Sequence, residues 1–214
     1  MGLAARAQLV FEGVLEGQPQ TWRACAAAVL AGGALQGAAL GSASGTWQIS
    51  VYSAVKVPLL LLAATAVTLP SFYVLHAVLG LRDDFAAACR GLLSTQAALG
   101  VALGSTAPLV VFLIVTVPDP YLQTLGAGAA FAAATLSSQS VLRRHYAPLL
   151  ARDRRHRVTL TCWAVLYVFF SIQLAWVLRP FLGTPGLPIE FLRAQAFEQN
   201  AYVVLYQHVA RLWR

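Results

Sequence analysis

Five stretches of the chain, residues 24–43, 57–81, 92–117, 121–142 and 158–178, contain no Asp, Glu, Lys or Arg. A helix rises 1.5 Å per residue, so about 20 such residues cross a hydrocarbon core of about 30 Å. Only 11% of all 214 residues are charged, against roughly 25% in soluble domains, and 58% are hydrophobic. So little charge does not cover a water-facing surface. The pattern predicts an all-α polytopic integral membrane protein with about five transmembrane helices.

The links are short. "VPDPY", with Pro118 and Pro120 around Asp119, reads as a tight turn between the third and fourth spans. Residues 1–23 read as an amino-terminal segment rather than a signal peptide, because Glu12 and Glu16 interrupt it. Arg6 stands where a myristoylation signal wants Ser or Thr. Residues 24–178 form the membrane domain, and residues 179–214 a Pro/Gly loop followed by an amphipathic helix.

The link 143–157 carries Arg143, Arg144, Arg152, Arg154, Arg155 and Arg157 against one acid, Asp153. By the positive-inside rule this side faces the cytoplasm. Counting spans outward places the amino terminus inside and the carboxyl terminus in the periplasm of a cell inner membrane. The arginines, Arg143, Arg144, Arg154, Arg155 and Arg157 among them, are expected to meet anionic lipid rather than nucleic acid.

Lys56 precedes the second span, with Pro58 two residues on. Because 35 residues from Trp47 to Leu81 exceed one crossing, the span is expected to begin at Val57. Pro58 would then lie in its first turn and "WQISVYSA" along the outer surface. Lys56 would snorkel to that interface as an anchor, or bind an anionic headgroup or a partner's carboxylate. Pro70 would kink the span.

Gly33, Gly37, Gly41 and Gly45 fall four apart, a stripe that lets another helix backbone approach closely. The spacing does not say whether that helix belongs to this chain. Gly100 and Gly104 repeat it in the third span. Cys25, Cys89 and Cys162 read as small buried hydrophobes. His76 is the only span histidine, better read as an interfacial hydrogen-bonding group than as a haem or pigment ligand. No carboxylate lies inside a span, no HExxH, GxSxG or P-loop occurs, and no metal or cofactor is expected. In the tail, Tyr202, Leu205, Tyr206, Val209 and Trp213 fall at helical spacing, a face for docking on membrane or partner.

Residues 38–117, with "GSASG", "SAVKVPLLLLAATAVTLPSFYVLHAVLGL" and "GSTAPLVVFLIV", resemble bacterial members of the Yip1-like family of five-span membrane proteins. The "DLYGP" signature of eukaryotic members is absent. The resemblance implies a non-enzymatic, adaptor-like role. Two functions remain: a non-catalytic subunit or scaffold of a larger inner-membrane assembly, in contact with lipids and other subunits, or a small channel or permease component.

Overall fold

The computed structural model describes residues 22–182 and 190–192. The expected tail helix with Tyr202, Leu205, Tyr206, Val209 and Trp213 lies outside them. Among the described residues five α-helices make up the fold: α1 Trp22–Gly41, α2 Trp47–Val78, α3 Phe85–Thr116, α4 Pro120–Arg152 and α5 His156–Leu178. All five are long and apolar enough to cross a membrane. The architecture is all-α and polytopic, as the charge-free stretches predict.

Chain order is not spatial order. α1 lies between α2 and α3, α4 packs on the far side of α3, and α5 packs on the far side of α2. The helices therefore form an arc in the order α4, α3, α1, α2, α5. Its two ends, α4 and α5, meet at only a few points.

Glycine explains why α1 is central. A Cβ on Gly37 would strike the Ser53 carbonyl and come within 2.8 Å of the Ala54 Cα. One on Gly41 would reach the Ile49 carbonyl oxygen at 2.7 Å, and one on Gly33 the Pro58 backbone at 3.1 Å. Three of the four predicted glycines thus press on α2. Gly32 turns to the other side, where its backbone meets Gly100, and a Cβ on Gly104 would lie 3.0 Å from the Gly32 Cα. In lipid, where apolar side chains gain nothing by leaving solvent, such backbone proximity supplies the dispersion that holds helices together. The stripe is used up within this chain.

Gly45 departs from the expectation. The helix ends at Gly41, a short 3-10 turn covers Ser42–Ser44, and Gly45 closes it at φ 68°. It is a left-handed turn residue with no neighbour within 4 Å of a Cβ, not a packing residue.

Two further boundaries differ. α2 is one continuous helix of 32 residues with Pro58 and Pro70 in its interior, so "WQISVYSA" is part of the helix and not a surface segment. At 1.5 Å per residue it is about 48 Å long, more than the hydrocarbon core requires. The close seat of Gly33 on Pro58 accommodates a ring that would otherwise break packing. α4 likewise continues to Arg152, so Arg143, Arg144 and Arg152 are helical and the link shrinks to residues 153–155. At the α3–α4 junction, Asp119 caps α4 by accepting from the Tyr121 N–H at 2.8 Å, with Pro120 at the first position. The "VPDPY" turn is where the sequence placed it.

Candidate functional site

The concave side of the arc encloses an apolar crevice of about 410 Å³. Leu40, Leu60, Leu61 and Leu99, from α1, α2 and α3, form its floor. α4 contributes Ala127, Gly128 and Phe131 to one wall, and α5 contributes Tyr167, Ile172 and Ala175 to the other. Phe181 and Leu182, just past α5, close one end.

Lys56 holds that closure in place. Its side chain is 1% exposed, and its ammonium donates to the Pro180 carbonyl at 3.0 Å. Three residues earlier on the same helix, the Ser53 hydroxyl donates to the Phe181 carbonyl at 2.7 Å. The Phe191 ring covers the ammonium at 5.1 Å and meets Tyr52 edge-on. The interface-anchor expectation for Lys56 is therefore overturned. With α2 unbroken and Gly37 drawing it against α1, residue 56 points into protein. A buried ammonium needs acceptors and aromatic faces there, since stranded charge is costly. Ser53 and Phe181 escaped the sequence reading. Only the spacing of Ser53 and Lys56 on one helix face hinted at a shared target.

The opposite end of the bundle is basic. Asp84, at the α2–α3 junction, accepts from Arg152 and, at 3.2 Å, from His156 Nε2. Arg155 pairs with Asp153 at 2.7 Å and donates to the Leu79 carbonyl at 2.8 Å. Arg152 and Arg155 therefore tie the α4–α5 junction to the α2–α3 junction. Arg154 and Arg157 line a separate recess of about 300 Å³ beside Leu150. Arg143 is exposed further back on α4, and Arg144 is exposed beside it. The six arginines are not one patch: two hold the fold, two frame a recess and two stand on a helix flank.

His76 is fully buried, in the last turn of α2. Its Nδ1–H donates to the Phe72 carbonyl at 2.9 Å, and its ring packs against Phe72, Phe85 and His156. Trp163 completes this cluster and donates to the Thr68 hydroxyl at 3.2 Å, fixing α5 to α2. Asp84 and His156 were missed by the sequence reading because each looks like an ordinary loop residue until the helices bring the two junctions together. Among the described residues no group of three His, Cys, Asp or Glu is placed to hold a metal.

The Arg155 guanidinium holds the Asp153 carboxyl below the usual carboxylate range. A carboxylate depressed by folding contributes stability above its unfolded value, about 4, and loses it as pH falls through the folded one. Asp153→Asn is expected to lower the melting temperature slightly at pH 7. The difference from wild type should shrink as the pH falls from 7 to 3. A thermal scan at both pH values checks this, and a gap that persists in acid would contradict the ion-pair account.

Comparison with protein-family models, with curated proteins and with solved structures finds no match.

Proposed function

We propose that this chain is a non-catalytic integral membrane subunit that works by assembling with other membrane proteins. The observation that carries this is the position of α5. It is held on one side by α2, with Trp163 donating to Thr68, while Val158, Thr161, Val165 and Val168 form an exposed stripe at helical spacing. A terminal helix held along one side offers a full flank to a neighbouring span. The resemblance of residues 38–117 to the Yip1-like family, whose members act through membrane association and partners, points the same way.

The permeation alternative has less support. The crevice floor is leucine, and the Thr65 and Thr68 hydroxyls of α2 donate to carbonyls of their own helix rather than lining a path. The scaffold reading is tested by a photo-crosslinking residue at Val165. Adducts with discrete membrane proteins are expected, and adducts with lipid alone would overturn it.

We further infer an inner-membrane location with the basic end in the cytoplasm, on the charge bias of its arginines. A tag inserted after Asp153 should be protected from external reagents in intact spheroplasts, and one inserted after Val117 should react. The reverse labelling would invert the assignment.

A further inference from the structure

We propose that the crevice between α4 and α5 holds one hydrocarbon chain of a bilayer lipid, drawn from the leaflet opposite the basic end. Its depth follows from its lining: Leu40 closes α1, Thr124 opens α4 and Ala175 lies near the end of α5, all at the end away from Arg152, Arg154, Arg155 and Arg157. The gap between α4 and α5 opens sideways, so what a membrane presents to it is acyl chain.

The cavity measures about 410 Å³, within the usual range of ligand sites, and a flexible single chain enters such a space lengthwise.

The wall chemistry agrees. Among the described residues, none that lines the cavity is charged. Thr124 and Thr135 turn their hydroxyls to carbonyls of their own helix at 2.9 and 2.8 Å, the Tyr167 hydroxyl donates to Gln96 at 3.3 Å, and the Ser171 hydroxyl is buried in the wall. The headgroup thus stays outside, and recognition is of the chain. The roof of Phe181 and Leu182, pinned by Ser53 and Lys56, limits how far the chain reaches.

Gly128 makes the idea testable. It lines the cavity, yet a Cβ built on it meets nothing within 4 Å. A larger side chain there starts out into the space meant for the ligand, since its Cβ strikes nothing. The full chain would be purified in mild detergent and examined by native mass spectrometry, after exposure to phosphatidylglycerol or phosphatidylcholine with identical chains. Wild type is expected to retain one lipid, with either headgroup. Gly128→Phe should reduce the retained fraction at least tenfold, and Gly128→Leu, a milder filling, covers failure of the first variant to fold. Val115→Phe, on the exposed flank of α3, should retain lipid as wild type does. Equal retention in a folded Gly128 variant would overturn the proposal. So would no retained lipid in wild type, loss in Val115→Phe as well, or a change in dimer fraction in place of lipid loss.

Discussion

Gly37→Leu is expected to unseat α1 from α2 and to leave little folded protein in the membrane. The added side chain would drive into the Ser53 carbonyl and the Ala54 Cα, both backbone atoms that no rotamer change moves aside. Overpacking against side chains costs about 1–3 kcal/mol; against backbone it exceeds that, and α1 carries both halves of the arc. Gly100→Leu should do the same on the other face, where a Cβ would come within 2.7 Å of the Val29 Cα. Gly45→Ala should be far milder, its strain confined to one left-handed turn. Detergent-extracted yield and melting temperature give the comparison. A Gly37→Leu protein that melts like wild type would show that the α1–α2 contact does not hold the bundle.

The second large effect is expected at Lys56. Lys56→Glu sets a carboxylate against the Pro180 carbonyl oxygen, removing a donor and adding repulsion in a dry site. Breaking a buried charged contact costs about 3–5 kcal/mol. The roof of Phe181 and Leu182 should come away from α2. Lys56→Met, close in volume and uncharged, should be milder because it removes the donor without setting a carboxylate against the carbonyl. A single cysteine at Leu182 reports the outcome through its labelling rate: protected in wild type, partly released in Lys56→Met, fully released in Lys56→Glu. Equal protection in all three would mean that the ammonium does not hold the roof.

These two sites mark how far sequence reasoning reached. The five helices were legible because a charge-free stretch of about 20 residues has no other stable place than a bilayer. The glycine stripe was legible as a packing face, since spacing alone sets which residues share a side of a helix. Its target was not, because nothing local in "GALQGAALG" says that α2 takes that face while Gly32 takes α3. Gly32, one position before Gly33, points about 100° away, and the "GG" pair was the available signal for two faces. Lys56 was misjudged for the same reason. A lysine flanked by apolar residues near a proline resembles a helix end, and only the return of the chain after α5 supplies carbonyls that let it be buried. Arg152 and Arg155 look identical to Arg154 and Arg157 in the sequence, yet Asp84, Asp153 and the Leu79 carbonyl sort them. Long-range partners decide each of these cases.

The arc is proposed to be one subunit of a larger membrane assembly. The most direct test is the mass and composition of the particle extracted gently from native membranes, measured by native mass spectrometry. A complex well above the 22.8 kDa of one chain is expected, containing membrane subunits of other sequence and losing them when Val165 and Val168 are both changed to Arg. A particle of one chain with bound lipid alone would contradict it.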